Sequence, residues 1–171
     1  MFTDPIFGEF HPELIPRRGE FVAWSTAVLV ITGWLILRLN NQPVPTAVPI
    51  LAILLLLAGL SISLGNWMDR RTHLQLDESG IAFQNGFRNV RLTWDDITQV
   101  RVFPARWGEK VQVFGENAFF EFRTLGEVKY QGESKALFGF EKGEEIYHQI
   151  IISADLQPSE HPNQGYFYVR R

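Results

Sequence analysis

The chain has 171 residues, a formal net charge of −3 at pH 7 and no cysteine. This mild acidity removes the electrostatic basis for sequence-independent binding of nucleic acid, so we expect no nucleic-acid partner. The lack of cysteine excludes disulfide frameworks, thiolate zinc sites, thiol nucleophiles and cysteine-ligated iron–sulfur clusters. Hydrophobic residues make up 46% of the chain, but they are distributed unevenly, and their distribution predicts the organisation of the molecule.

Two long uncharged runs lie in the first half of the chain. Residues 21–37 carry no formal charge. At about 1.5 Å per residue a helix of this length nearly crosses a hydrocarbon core of roughly 30 Å, and Arg38 can snorkel to complete the span. Residues 49–67 supply a second crossing, and the short segment between the runs, LNNQPVP, has the composition of a turn. The pattern predicts a transmembrane helical hairpin over residues 21–68, because lipid tolerates no unpaired backbone.

Basic residues near the ends of these runs predict the orientation of the hairpin. Arg17 and Arg18 precede the first run, Arg70 and Arg71 follow the second, and Arg38 alone lies at the connection. Since lysine and arginine are enriched in cytoplasmic loops, we expect an integral membrane protein with two spans, both termini cytoplasmic, and the remaining domain on the cytoplasmic face. The first run is too long for a cleavable signal peptide, so we interpret it as an uncleaved anchor.

Beyond the second run, short alternating segments rich in Val, Phe, Ile and Thr are separated by glycine-containing turns. This pattern is typical of an antiparallel β domain. It predicts at most seven strands, at residues 73–77, 81–84, 87–92, 97–103, 111–114, 118–124 and 136–140. The stretch 125–133 has no clear period.

Two turns in this domain have specific signals. Asn85-Gly86 favours a type I′ hairpin turn, in which both central residues have positive φ. In the segment 93–97, Thr93 and Asp96 have the spacing of residues that cap a single helical turn.

The period changes to helical after Gly143, where Ile146, Ile150 and Ala154 share one face. The predicted fold class is therefore a membrane α-helical hairpin plus an α+β domain, in which antiparallel strands are closed by a C-terminal helix. We expect the tail to be extended. The predicted segments are an N-terminal cytoplasmic segment at 1–20, the hairpin at 21–68, the β domain at 72–156 and the tail at 157–171.

A set of short motifs resembles a known family. Two membrane spans precede a strand ending in DESGI, the segment VRLTWDDITQVRV and a terminal helix. Together they resemble the bacterial membrane-anchored pleckstrin-homology-like (PH-like) domain proteins. The resemblance implies a PH-like β-sandwich or barrel of about seven strands closed by a C-terminal helix, with Trp94 and Ile97 as structural residues of the core and corner.

A weaker resemblance is to the photosystem I assembly factor of cyanobacteria and chloroplasts. That protein also has a paired arginine, a hairpin and a small β-rich domain in this order, and the segments 86–89 and 96–101 run loosely parallel to it. Its longer glycine- and lysine-bearing insertion near Asn89 is absent here. A photosystem-assembly-factor-like protein is therefore an alternative interpretation.

Basic and aromatic residues of the β domain are the candidates for a partner or lipid surface. In eukaryotic relatives of the fold, basic residues of the first hairpin loop bind phosphoinositides, but here residues 77–80 read Asp-Glu-Ser-Gly, which would repel an anionic headgroup. Scattered solvated arginines are the simpler explanation of the basic residues, whereas three aromatics exceed what one core face needs. The candidates are Arg88, Arg91, Arg101, Arg106 and Lys110, with Phe103, Trp107 and Phe119.

No catalytic, cofactor-binding or metal-ligating residue is predicted. The histidines at 11, 73, 148 and 161 lack metal-ligand spacing, and Asp95-Asp96 is the kind of pair that caps a helix start. No phosphate loop or nucleophile elbow is present, so we expect no enzyme and no small-molecule substrate. The sequence predicts a non-enzymatic module in the lipid bilayer that binds membrane proteins as a subunit, scaffold or assembly factor. An anionic-lipid sensor is the other alternative.

Overall fold

The structure, a computed structural model, describes residues 6–14, 17–130, 133–159 and 165–170. Two helices are followed by antiparallel strands and a third helix, so the predicted order of helices before a β domain is confirmed. The chain divides into two compact units, Pro16–Met68 and the combination of Met1–Ile15 with Asp69–Arg171. His161 and parts of the predicted N-terminal segment and tail lie outside the described residues.

The helical unit consists of two long apolar helices. Helix α1 is Arg18–Leu39 and helix α2 is Ala47–Arg70, and they contain the predicted spans. Both are long and apolar enough to cross a membrane, and only 6% and 11% of their most apolar stretches are buried. The core helices of a soluble protein are mostly buried, so this exposure favours a lipid environment for their side chains.

A polar network joins the two helices. The Trp24 indole nitrogen donates to the Ser63 hydroxyl at 2.8 Å, and that hydroxyl donates to the Glu20 carboxylate at 2.8 Å. Asn66 donates to the other oxygen of Glu20 at 2.7 Å. The Trp24 ring lies over Gly59, where a Cβ would be 3.4 Å from the indole. Sequence analysis missed this network because it began the first span at residue 21, whereas the helix includes Glu20.

The first sheet has the strand order β1-β2-β3-β4 and is antiparallel. Its strands are β1 Gly8–Phe10, β2 His73–Asp77, β3 Gly80–Asn85 and β4 Arg88–Thr93. His73 pairs with Gln84, which pairs with Asn89, so the start of β2 and the turn between β3 and β4 lie at the same end of the sheet.

The predicted hairpin between β3 and β4 is confirmed, but its turn is displaced by one residue. Asn85 is the last residue of β3 and pairs with Arg88, so Gly86 and Phe87 form the tip. Gly86 has φ 50, while Asn85 is not among the described residues with positive φ. The prediction of a type I′ turn centred on Asn85-Gly86 is therefore wrong. Only one positive φ is needed, and glycine meets that requirement without steric cost.

The second sheet is built on the meander of β5 Ile97–Pro104, β6 Glu109–Gly115 and β7 Phe119–Arg123. A separate hairpin follows, formed by β8 Gly126–Tyr130 and β9 Glu133–Phe138, and then helix α3, Gly143–Ser153. The tail adds β10 Gln157–Ser159 and β11 Tyr166–Val169, which gives the order β10-β11-β5-β6-β7.

The predicted maximum of seven strands is wrong, since the described residues contain eleven. Segments near both ends of the chain add β1, β10 and β11 to sheet edges, and the region without a clear period forms the β8–β9 hairpin. No closed barrel is present among the described residues, because the strands form separate sheets of four, five and two strands. The segment 94–96 forms a hydrogen-bonded turn in place of the expected helical turn.

A single hydrophobic core fills the β domain. It is formed by inward-facing residues of both large sheets together with Ile146 and Ile150 of α3, which are fully buried. Ile97 is fully buried and Trp94 packs against the same core, as the family resemblance implied. The strand residues of the core include Leu74, Leu76, Ile81, Phe83, Val100, Val102, Val111, Val113, Phe120 and Phe122.

Candidate interaction surface

Alternation along β5 and β6 separates a core face from an outer face of the five-stranded sheet. Val100 and Val102 are buried, whereas Arg101 between them points away from the core and is only partly buried. Arg101 lies opposite Phe167 on β11 and opposite Gln112 on β6. Because successive side chains of a strand point to opposite faces, all three belong to the outer face.

Two arginines and four aromatic rings form a continuous series of contacts that ends on this outer face. The Arg88 guanidinium lies 4.4 Å from the centre of the Phe119 ring and donates to the Phe119 carbonyl oxygen. The Phe119 ring stacks on Phe114 at 5.7 Å, and the Arg101 guanidinium lies 4.6 Å from Phe114 and 5.9 Å from Phe167. The Phe167 ring in turn meets Phe103 edge-on at 5.5 Å. We call this series the arginine–aromatic ladder; in order of contact its members are Arg88, Phe119, Phe114, Arg101, Phe167 and Phe103.

Arg101 is the central cation of the ladder. Its guanidinium lies between two aromatic rings, 4.6 Å from Phe114 and 5.9 Å from Phe167. Its Nη2 donates to Gln99 at 2.8 Å, while its Nε is buried and has no hydrogen-bond partner in the described structure. Cation–π contacts of this kind contribute about 0.5–1 kcal/mol each at exposed sites. The contacts therefore fix the position of a positive charge on the sheet surface.

A second polar group lies on the same face. Lys110 forms an ion pair with Glu121 at 2.7 Å, and Gln112 donates to the same carboxylate at 3.2 Å. Burial raises the pKa of Glu121, but the hydrogen bonds from Lys110 and Gln112 and the charges of Lys110 and Arg123 outweigh it and leave the pKa lowered. Glu121 therefore stays ionised and compensates the charge of Lys110.

The structure brings only some of the predicted surface residues together. Four of them belong to the ladder, and Lys110 lies on the same outer face. Arg91 lies on the other sheet, 3.6 Å from Asp77. Arg106 and Trp107 lie in the connection between β5 and β6, where the Arg106 guanidinium is 4.8 Å from the Trp107 ring and that ring meets Phe138 edge-on. The candidates thus occupy three separate places.

The aspartate of the acidic loop at residues 77–80 stabilises the loop through hydrogen bonds. The Asp77 carboxylate accepts hydrogen bonds from the Ser79 hydroxyl, the Ser79 amide and the Gly80 amide, at 2.5–3.0 Å. The Ser79 hydroxyl is the main cause of a lowered pKa for Asp77, followed by the Ser79 amide. The loop therefore presents a stable negative charge where relatives of the fold present cations. The absence of phosphoinositide binding here stays a prediction.

The sequence did not predict the hydrogen bonds that Arg170 makes with the turn between β4 and β5. Arg170 donates to the carbonyl oxygens of Trp94 at 2.6 Å, Asp95 at 2.5 Å and Ala154 at 3.0 Å. Ala154 caps the C-terminus of α3, so a cation at this place also complements the helix dipole. The aromatic and β-branched run just before Arg170 favours an extended strand, but nothing local indicates which turn the arginine would meet.

The paired aspartates at 95 and 96 support the turn and show no sign of a metal site. Asp96 accepts hydrogen bonds from the Thr93 amide at 3.0 Å and hydroxyl at 2.7 Å, and these bonds, the hydroxyl first, lower its pKa. The Asp95 side chain lies 3.8 Å from Arg170. Among the described residues there is no cluster of three His, Asp or Glu that could hold a metal ion.

The β domain also contains a cleft of about 320 Å³ beside β7. Its lining mixes apolar residues such as Phe83 with Lys110, Glu121 and Arg123. The side-chain oxygen of Asn85 also lies at this cleft, buried and without a hydrogen-bond partner in the part of the chain that the structure describes. The lining charges are of both signs, so they select no class of ionic ligand.

Comparison with known proteins identifies the domain that carries this surface. Residues 71–136 match the family model of a bacterial PH domain. The matched segment begins just before β2 and ends within β9, so it contains every member of the ladder except Phe167. No curated protein and no solved structure matches the chain. The resemblance to bacterial PH-like proteins with two apolar N-terminal helices is therefore confirmed.

Proposed function

We propose that this protein is a non-enzymatic interaction module that two membrane-spanning helices hold at the cytoplasmic face of a membrane. The length, composition and exposure of α1 and α2 support the membrane anchor. The arginines that flank the outer ends of the helices, Arg17, Arg70 and Arg71 among them, support cytoplasmic termini by the bias of basic residues.

The β domain is proposed to be a PH-like sandwich to which further strands have been added. The family match, the two antiparallel sheets packed on one core, and the contribution of α3 to that core support this assignment. The strands from the terminal segments add to the outer sides of β2 and β5, where they widen the sheets without changing the central meanders.

The observation that carries the proposed function is the arginine–aromatic ladder. Arginine and large aromatic residues are enriched at the energetic centres of protein interfaces. In the ladder their side chains are held in place by mutual contacts, so a partner binding there would find them already ordered. Its partner is proposed to be a membrane protein with acidic and apolar groups, in a complex in which this chain acts as a subunit, scaffold or assembly factor.

A non-enzymatic role is supported by the family, and the environment of Tyr147 does not suit it to acid–base catalysis. A PH-like domain is usually non-catalytic. Burial first, and then the charges of Glu109 and Glu144, raise the pKa of Tyr147 to about 12. An acid–base catalyst operates best with a pKa near the working pH, so this shift moves the tyrosine away from such a role.

The experiment that tests the proposed function is affinity purification of the tagged full-length protein from its native membrane in mild detergent, read by mass spectrometry. We expect a stoichiometric set of membrane proteins to be recovered with it. A matched purification with the tag on an unrelated protein with two spans serves as the control. Recovery of the protein alone, from membranes in which it is expressed at its natural level, would contradict a role in a larger complex.

A further inference from the structure

Two histidines face each other where the N-terminal strand joins the β domain. His11 directly follows β1, and the register that pairs Phe10 with Leu74 places it opposite His73, the first residue of β2. The two imidazole ring centres are 5.9 Å apart, and the ring planes are tilted by 47°. The sequence did not predict this pair, because residues 11 and 73 become neighbours only when β1 joins the edge of β2.

Both imidazoles belong to the outer face of the four-stranded sheet. Leu74 is fully buried, and Phe10 packs against the core. Since successive side chains of a strand alternate between the two faces, the adjacent His73 and His11 point away from the core. The His11 side chain is 64% exposed. A dissolved ion can therefore reach the pair without any opening of the fold.

A carboxylate orients one of the two rings. Glu9 lies two residues before His11, on the same face of the arm, and one of its oxygens is 3.3 Å from Nε2 of His11. A negative charge at this place favours the tautomer with the proton on Nε2, which leaves the lone pair of Nδ1 available to a ligand. Histidines that bind metal ions commonly have such a carboxylate at their other ring nitrogen, where it fixes the tautomer and raises the basicity of the ligand.

The spacing of the rings suits two bonds to one metal ion. The bond from an imidazole nitrogen to Zn²⁺ is about 2.0–2.1 Å long, so two imidazoles on one tetrahedral ion have ring centres roughly 5–6 Å apart. Imidazole is a good ligand for Zn²⁺, Cu²⁺ and Ni²⁺, whereas Mg²⁺ and Ca²⁺ prefer oxygen. Arg91, on the same outer face, is paired with Asp77 at 3.6 Å, so its charge is compensated and does not oppose a cation.

From this geometry we propose that His11 and His73 together bind a divalent first-row transition metal ion such as Zn²⁺, with Glu9 as the group that orients His11. Among the described residues no cluster of three His, Asp or Glu could hold a metal ion, so two protein nitrogens bind the ion and water completes its coordination. Such a site keeps exchangeable positions, unlike the closed four-ligand sites of structural zinc. Because the ion bridges β1 and β2, its binding holds the N-terminal strand on the edge of the sheet.

Calorimetric titration of the full-length protein with Zn²⁺ in mild detergent tests the site. The chain has no cysteine, so no thiolate competes for the ion, and the purification tag is chosen without histidine. His11→Ala and His73→Ala each remove one ligand, whereas Glu9→Gln keeps both ligands and removes the orienting charge. His148→Ala is the matched control, because His148 lies on α3 and takes no part in the pair.

We expect one Zn²⁺ ion per natural chain and binding at least about tenfold weaker in each of His11→Ala and His73→Ala. Binding should also be about tenfold weaker in Glu9→Gln, and unchanged in His148→Ala. Undiminished binding in either His11→Ala or His73→Ala would overturn the proposal. The same holds if the natural protein gives no more heat with Zn²⁺ than with Mg²⁺.

Hydrogen exchange of the backbone amides of residues 8–10, with and without Zn²⁺, shows whether the ion bridges the two strands. A bridge predicts several-fold slower exchange with Zn²⁺ in the natural protein, because an ion that binds only the paired state stabilises it. In His73→Ala, whose β1 sequence is intact, Zn²⁺ should leave the exchange unchanged. Slowing that persists in His73→Ala, or exchange in the natural protein that Zn²⁺ does not slow, would overturn the bridge.

Discussion

Arg170 donates a hydrogen bond to the carbonyl oxygen of Trp94 at 2.6 Å, across 76 positions of the chain. The contact joins the end of β11 to the turn between β4 and β5. That turn lies within the matched PH domain, while Arg170 lies beyond it, so a residue outside the family segment stabilises one of its characteristic motifs.

Replacement of this arginine is expected to destabilise the β domain. Arg170→Ala removes charge-assisted hydrogen bonds to three carbonyl oxygens, and we expect it to lower the free energy of unfolding by about 1.5–3 kcal/mol. Arg91→Ala removes one exposed ion pair and should change stability by less than about 1 kcal/mol. Denaturant unfolding of the detergent-solubilised proteins measures both. Equal effects of the two substitutions would show that the Arg170 contacts add little.

Acid is expected to weaken the two aspartate-centred turns. The pKa values of Asp77 and Asp96 are lowered from about 3.8 by hydrogen bonds that the unfolded chain lacks. A carboxyl with a lowered folded-state pKa stabilises the fold above its unfolded pKa, and this contribution is lost as the pH falls through the folded-state value. The stability difference between the natural protein and Asp77→Asn should therefore shrink below about pH 3.8. Denaturant unfolding at a series of pH values measures it, and a constant difference would contradict the assignment.

The helical unit gives a prediction with a matched glycine control. Gly59→Val places added atoms against the Trp24 indole, where a Cβ alone would be at 3.4 Å, and we expect a loss of about 1–3 kcal/mol in helix pairing. A Cβ at Gly33 meets nothing within 4 Å, so Gly33→Val should change stability by less than about 0.5 kcal/mol. Thermal loss of helical circular dichroism in detergent compares them. A larger effect at Gly33 would exclude the Trp24–Gly59 packing.

Coupling within the ladder can be measured as a double-mutant cycle. Arg88→Ala, Phe119→Ala and their combination isolate the contact between the guanidinium and the ring. We expect a coupling energy of about 0.5–1 kcal/mol in denaturant unfolding, the range of exposed cation–π contacts. The hydrogen bond from Arg88 to the Phe119 carbonyl persists in Phe119→Ala, so it does not enter the coupling. Strict additivity would show that the two side chains are independent.

Local patterns in the sequence were sufficient to predict the helices α1 and α2 and the strands of the central meanders. Uninterrupted apolar length predicted α1 and α2, and alternation with glycine turns located β2 to β7. The strands of the terminal segments could not be predicted in the same way, because β1 and β11 gain their hydrogen bonds from partners far along the chain. A strand of three or four residues has too few positions to show a period.

Only part of the candidate surface could be predicted from the sequence, and the reason is related. Arg88, Arg101, Phe103 and Phe119 were identified by residue type, and the structure joins them in one ladder. Phe167 links Arg101 to Phe103, but nothing local indicates that the tail lies beside β5. Arg91, Arg106 and Trp107 share the residue types without sharing the face, because register and loop position were not available from composition.

The most direct test of the proposed interface compares variants in the affinity purification from native membranes. Arg101→Ala combined with Phe119→Ala removes the centre and one exposed ring of the ladder but leaves Phe87 and Arg88 in place. Arg91→Ala, on the other sheet, is the control. With folding verified by circular dichroism, we predict that the double variant recovers at least about tenfold less partner than the natural protein, equivalent to a loss of about 1.4 kcal/mol, while Arg91→Ala recovers the full amount. Undiminished recovery by the folded double variant would contradict the ladder as the binding surface.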